Sequence, residues 1–423
     1  MEAITQRERM QRLKEKGLKW ILAPAALVIL YVFFGLFGRN FFSYNTFVNI
    51  IDSSYYIGFI AIGVTFVIIT GGIDLSVGTV MMCAAIIGGT AYKTWGLPMW
   101  LSLLLILAVG VAFGYFNGFM ITRLGLPPFI QTLGTMMISM GVGSIVSNVR
   151  SATFPTRSGA DGWFKSIFKY ISEDGLSIPT GAIVLILVVV ICHLILTKTK
   201  MGRYIFAIGS NKEAARLSGV NVKKWEMSAY VVAGATAGIG GISFAAVYTT
   251  VMPAQGQGFE LYAIAGAVIG GTSLSGGIGS VFGTLIGVFI MSVLRAGLPS
   301  MDLQAHYQTF FTGVVVIGAV LLDIYRNKKA SEVKIQTPAD AYKSSMIDAI
   351  DQLKDQLAGA QQAGDSAKTE ELKQQIASKK DEMQHTYKKM KAEEKAEQAR
   401  IHAEEKAAER EFHELLKKES SSN

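Results

Sequence analysis

Long apolar runs, each closed by a polar or glycine-rich stretch, follow one another along the chain and stop near Arg326. The blocks are 16 to 23 residues long, close to the roughly 20 residues an α-helix needs to cross hydrocarbon. They predict spans at Trp20–Phe37, Ser53–Gly71, Val77–Tyr92, Met99–Phe119, Phe129–Ser147, Pro179–Thr197, Ser228–Thr250, Phe259–Ser275, Ile278–Leu294 and His306–Tyr325. The third and eighth are short, which also suits re-entrant or tilted segments. The expected fold class is all-α, a polytopic membrane protein of about ten transmembrane helices with a C-terminal cytoplasmic helical or coiled-coil extension. The expected divisions are a basic N-terminus at 1–19, a transmembrane domain at 20–325 and a charged tail at 326–423.

In the tail the pattern changes. From Pro338 to Lys418 the chain is rich in Ala, Glu, Lys and Gln, and Ile347, Ile350, Leu353, Leu357, Leu372, Ile376, Met383 and Met390 recur at helical steps. This spacing predicts two helices, or one interrupted near "AGAQQAGDSAK", with a narrow apolar seam of the kind a coiled coil uses. Beyond Met390 the stripe fades into Glu/Lys pairs that suit a solvated helix. A tail that binds a cytoplasmic partner or itself and a passive charged helix both remain open.

Charge then orients the spans. The chain of 423 residues is 50% apolar and 17% charged, with a net charge of +8. The tail carries 19 basic and 19 acidic residues, so the whole excess belongs to the membrane part. That argues for topology rather than nucleic-acid binding, because cytoplasmic loops of membrane proteins keep Lys and Arg. The densest basic stretches are Arg7 to Lys19 and Lys198 to Lys224. With ten spans both fall on one side, together with Arg123, Arg326, Lys328 and Lys329, and that side is expected to be cytoplasmic with both termini on it. The Asn148–Ile178 loop, nearly balanced in charge, then faces outward. The N-terminal apolar run is too long for a cleaved signal sequence and reads as a retained first helix. Cys83 and Cys192 fall inside spans and suggest no disulfide framework.

Candidate chemistry is sparse. "TGGIDLSVGTV" (70–80) places Gly71, Gly72, Asp74, Leu75, Ser76 and Gly78 between two spans, and "GGTSLSGG" (270–277) echoes it with Ser273 at the position of Asp74 and Ser275 at that of Ser76. The glycines let the backbone leave helical geometry, and Asp74 or Ser76 can cap the helix near Val77. A site for an ion or polar solute at a broken helix is the functional alternative. Asn117, Gln131, His193, Glu260 and Gln308 are the other polar residues noted inside spans. Of these Gln131, Glu260 and Asn117 are the candidates for a translocation path, and His193 reads as packing. No phosphate-binding loop, metal-ligand spacing or catalytic constellation occurs, so an enzyme is not expected. Energy must come from an ion gradient or another subunit. Between the sixth and seventh spans, Asn211 to Ser218 reads as a short capped helix, with Glu213 in its first turn, Arg216 near its end and Gly219 behind it. Such definition suits a docking element for a cytoplasmic partner.

"TGGIDLSVG", "GRYIFAIGSNKEAARLSGVNV" and "AIAGAVIGGTSLSGGIGSVFGTLIG" stand in this order between Asn45 and Asp323. Together they resemble permease subunits of bacterial ABC importers for monosaccharides, of the ribose/galactose/xylose type. The resemblance implies a multi-pass permease of the inner membrane. It would work beside a second permease copy or a sister permease, with an ATP-binding cassette subunit and an extracytoplasmic sugar-binding protein. ATP would be used by the partner, with no cofactor on this chain. It further implies that Asn211, Lys212, Glu213, Ala214, Ala215, Arg216 and Gly219 contact the ATPase, and that Gly71 to Gly78 form the family's signature turn. Tyr262 stands where such permeases often carry an acid. Importers of the same design for nucleosides or other small polar solutes, ion-coupled transporters and membrane scaffolds are the competing readings.

Overall fold

The computed structural model describes residues 23–331, 338–362 and 365–420, so the basic 1–19 segment expected to be cytoplasmic lies outside the described residues. The chain divides into two units, Met1–Lys329 and Ala330–Asn423.

The first unit holds α1 (Ala23–Phe37) followed by α2 (Tyr44–Ile69), α3 (Val77–Lys93), α4 (Met99–Leu124), α5 (Pro128–Val146), α6 (Trp163–Phe168), α7 (Gly181–Lys198), α8 (Lys200–Ser210), α9 (Lys212–Leu217), α10 (Val222–Tyr248), α11 (Phe259–Ile269) and α12 (Val281–Ser300). It closes with α13 (Ala305–Ser331), which runs just past the boundary between the units. Among the described residues seven helices are long and apolar enough to cross a membrane: α2, α4, α5, α7, α10, α12 and the Tyr325-terminated part of α13. Three further apolar helices, α1, α3 and α11, are shorter. The sequence pattern, which places about ten spans, marks α3 and α11 as short but not α1.

Two boundaries differ from the hydropathy reading in a way that bears on chemistry. α2 begins at Tyr44, nine residues before the expected Ser53, because Ser43 caps it by accepting the Thr46 N–H at 3.2 Å. α12 continues through Ser300 instead of stopping at Leu294. Hydropathy ends a span at its first charge. Here the helices continue, and they carry Asp52 and Arg295 with them.

α2 lies at the centre of the unit, with every residue from Asp52 to Ile69 buried. Around it the helices approach through small residues. On α4, Gly110 and Gly114 face Gly234 and Gly238 of α10, so closely that a Cβ on Gly114 would stand 3.0 Å from the Gly234 Cα and one on Gly110 2.9 Å from the Gly238 N. α11 and α12 meet in the same way, where Gly287 presses against the Gly266 carbonyl. Lipid supplies no hydrophobic drive between helices, so backbone-to-backbone packing of this kind is what holds them.

The all-α expectation needs one amendment. Among the described residues four two-residue strands occur: β1 (Ala152–Thr153) pairs antiparallel with β4 (Thr250–Val251), and β2 (Tyr170–Ile171) with β3 (Ser177–Ile178). The β1–β4 pair staples the connection beyond α5 to the one beyond α10, and β2–β3 closes a hairpin within the former. Period-two patterning over two residues leaves no signal in a sequence.

The second unit is a helical hairpin of α14 (Pro338–Gln362) and α15 (Ser366–Ser420). Ile350, Leu372 and Ile376 of the expected seam are buried in it. At its open end the Ala339 N–H donates to Glu394 at 2.8 Å, and Lys391 reaches Asp340 at 3.4 Å.

Candidate functional site

Glycine and a side-chain carboxylate build the first turn. α2 ends where Gly71 adopts φ +82°, with the Gly72 N–H returning to the Val67 carbonyl at 3.2 Å. This is the left-handed helix ending that glycine serves without a Cβ penalty. Asp74, fully buried, then accepts two hydrogen bonds on one oxygen, from the Ser76 N–H at 2.9 Å and the Ser76 hydroxyl at 2.7 Å. Ser76 precedes α3 but makes no side-chain cap, because its hydroxyl is committed to Asp74.

From there the bonds run sideways into two more helices. Asn117 of α4 donates to the Ser76 hydroxyl at 2.9 Å and accepts from Thr135 of α5 at 2.6 Å. Gln131 of α5 donates to Thr135 at 3.1 Å and to Asn117 at 3.4 Å. Glu260, at the start of α11, accepts the Gly258 N–H at 2.9 Å, and its other oxygen would stand 2.8 Å from a Cβ on Gly78. The structure therefore brings Asp74, Ser76, Gly78, Asn117, Gln131 and Glu260 into one neighbourhood. Asn117 and Gln131 spend their amides on each other and on the turn, which ties α3, α4 and α5 together.

The echoed turn repeats the device with a carboxylate from elsewhere. Gly271 takes φ +94° after α11, and the Thr272 N–H returns to the Ala267 carbonyl, five residues back as in the first turn. Ser273 accepts the Ser275 N–H at 3.2 Å, as Asp74 accepts that of Ser76. Asp323 of α13 supplies the missing acid, accepting from the Leu274 N–H at 2.9 Å and the Ser273 hydroxyl at 3.3 Å. Asn327 adds bonds to Ser273 at 2.7 Å and Ser275 at 3.2 Å. The helix endings match at an offset of 200 residues and the side-chain turns at 199, so one residue separates the two copies in register.

These turns meet below α2. The Gly277 N–H donates to the Ile69 carbonyl at 2.9 Å. Gly209, in the last turn of α8, lies flush against that same carbonyl, and a Cβ on it would stand 2.5 Å from the Gly277 N. Sequence reading singled out neither Gly209 nor Asp323, since each acts on a residue far away along the chain.

The short helix α9 follows directly. Asn211 caps it, accepting the Ala214 N–H at 2.9 Å, and Gly219 with φ +81° ends the turn behind it. Lys212 is paired with the buried Glu226 of α10 at 2.8 Å. Ala215 turns inward onto Ile208 and Val222, so it offers nothing to solvent. Glu213 and Arg216 pair with each other at 2.7 Å on the open side, and Leu217 beside them is 84% exposed.

On the side of α2 where β1 and β4 lie, a cationic cluster closes the 148–178 connection onto the helices. Lys169 pairs with the buried Asp52 at 2.7 Å, and Lys165 of α6 donates to the Thr249 hydroxyl at 2.6 Å. Burial pushes the Lys165 ammonium below its ordinary range, with Arg157 adding to the shift. His193 packs against the Phe282 ring. Among the described residues no three His, Cys, Asp or Glu side chains cluster as metal ligands.

Compared with known proteins, residues 46–320 match the family described as "Branched-chain amino acid transport system / permease component". The chain belongs to this permease family. Relatives include the ribose import permease protein of Escherichia coli K12, 35% identical over 73% of this chain and 95% of that protein. The fructose import permease protein of Rhizobium meliloti is 34% identical over 73% of this chain and 88% of its own. The D-allose transport system permease protein of Escherichia coli K12 is 32% identical over 70% and 88%. No solved structure gives a significant match. The permease is thus a multi-pass transport component rather than an enzyme, and its matched region ends within α13, before the helical hairpin.

Proposed function

We propose that this permease passes a monosaccharide across the inner membrane, delivered by an extracytoplasmic binding protein and driven by an ATP-binding subunit. The observation that carries this reading is the likeness to permeases for ribose, fructose and allose along nearly their whole length. The pathway lies between this chain and a second copy or a sister permease, and the positive charge of the loops supports a cytoplasmic side for α9 and both termini. ATP is bound and used by the partner. The hairpin lies outside the matched family and is free for a cytoplasmic partner or for self-association.

In this reading α9 is the coupling element. Lys212 anchors it to α10 through Glu226, while Glu213, Arg216 and Leu217 project toward the ATPase. Closure of the ATPase dimer pushes on α9, and the push reaches both turns through α8. The two signature turns serve as structural joints, with Asp74 holding the entry to α3.

Reconstitution with the ATP-binding subunit and the binding protein tests the reading: a sugar-loaded binding protein is expected to stimulate ATP hydrolysis. Stimulation by nucleosides or amino acids and by no sugar overturns the substrate class, and uptake driven by a proton gradient alone overturns the mechanism. Arg216→Glu is expected to uncouple uptake and weaken co-purification of the ATPase while membrane insertion stays intact. The exposed pair it breaks contributes only about 0.2–1 kcal/mol, so α9 itself survives. Undiminished uptake with normal co-purification would remove α9 from the interface.

A further inference from the structure

Arg295 of α12 carries a guanidinium into an apolar helix, and among the described residues no carboxylate lies at ion-pair distance from it. Its surroundings are aromatic instead. The guanidinium carbon stands 5.5 Å from the ring centre of Tyr56 on α2, 5.4 Å from that of Phe259 and 5.6 Å from that of Tyr262, both on α11. One of its N–H groups donates to the Tyr56 hydroxyl. Phe244 and Tyr248 of α10 meet Tyr56 edge to face, and Tyr248 keeps 43% of its surface open. A guanidinium offers five N–H donors in a planar fork, and a hydroxyl of Tyr56 occupies one of them. The ring faces hold the cation in place by their quadrupoles without consuming its donors.

We propose that Arg295 and this aromatic box form a contact station for the sugar on the translocation path. The assignment rests on the monosaccharide reading given above. A sugar has two kinds of surface, a C–H face that lies flat on an aromatic ring and a rim of hydroxyl oxygens that accept from a guanidinium fork. The box presents both, with the open ring of Tyr248 beside the free donors of Arg295. It lies at the β4 end of α10, next to the connection that charge balance places on the outer face, where a binding protein hands over its load. Electron-rich ring faces disfavour an anion in the same place, so a neutral polyol fits better than a phosphate. The contact adds donors without a counter-charge, which suits a station that must release what it receives.

The test uses the whole importer in liposomes, with D-ribose, D-fructose and D-allose as probes and sugar accumulated per ATP hydrolysed as the readout. Arg295→Gln is expected to lower that ratio roughly ten- to a hundredfold, the size of a lost charge-assisted hydrogen bond, while stimulation of the ATPase by the loaded binding protein is kept. Tyr248→Ala lowers the ratio too, and Tyr248→Phe, which keeps the ring, does not. An unchanged ratio in Arg295→Gln overturns the proposal. So does a parallel loss of ATPase and uptake in both Arg295→Gln and Arg295→Lys, which marks a packing role. A defect confined to liposomes of anionic lipid assigns the guanidinium to a lipid phosphate and overturns it as well. If no sugar-loaded binding protein stimulates the wild-type importer, the monosaccharide reading itself fails and this assignment falls with it.

Discussion

Replacing Lys169 by methionine is expected to destabilise the membrane unit by about 3–5 kcal/mol, the cost of leaving a buried charge without its partner. Asp52 is buried inside α2, and one of its oxygens makes its hydrogen bond to Lys169 at 2.7 Å. Its other oxygen has no hydrogen-bond partner among the described residues, so little else holds the carboxylate. Lys169 itself sits at the end of α6, in the 148–178 connection, which β1, Lys165 and the buried Phe154, Phe164 and Phe168 also fasten to the helices. Loss of the pair therefore strands a charge in the core helix and removes one of the ties of the connection. Thermal unfolding of the purified protein in detergent checks the effect, and Asp52→Asn combined with Lys169→Met should recover most of it. A Lys169→Met protein that unfolds with the wild type would show that the pair contributes no net stability.

Gly209→Val is expected to abolish coupled uptake while the protein still reaches the membrane. A side chain at this position has no room, because its Cβ would overlap the Ile69 carbonyl and stand 2.5 Å from the Gly277 N. Something must move, and the bond between those two groups is what stands in the way. Overpacking typically costs roughly 1–3 kcal/mol and more where, as here, the obstacle is backbone, and the clash is confined to the joint between α8 and the turns. It is enough to part α8 from both turns. The measurement is uptake against ATPase activity in the reconstituted importer: ATP hydrolysis persists and sugar movement stops. Full uptake by Gly209→Val would mean that α9 drives the spans by another route.

Much of the fold could be read from apolar runs, since a helix in lipid declares itself through an unbroken stretch of residues. The short α9 was equally legible, because Asn211, Glu213, Arg216 and Gly219 are local signals within nine positions. What stayed hidden depended on distance or on charge. Asp52 and Arg295 fell just outside the expected spans, because hydropathy treats the first ionisable residue as an end. Asn117 and Gln131 were visible as polar residues in spans, but their bonds to Ser76 and to each other cross 41 and 14 positions. The echo at 270–277 was visible as letters, whereas Asp323 as its acid was not. Short strand pairs such as Ala152 with Val251 leave no pattern to read.

The glycine contact between α4 and α10 has a consequence for motion. Gly110 and Gly114 leave no layer of side chains between the two backbones, so the helices cannot slide by exchanging rotamers. A transport cycle must carry them as one plank. The compliance then has to sit in non-helical backbone, and the structure offers it at residues 70–76 and 249–258, where Gly71, Thr249, Ala254, Gly256 and Gly258 take positive φ. Those two stretches flank α3 and α11, the short helices beside the central one. Bending at 249–258 is expected to let α11 move, while the Ser76–Asn117 bond keeps α3 with the plank.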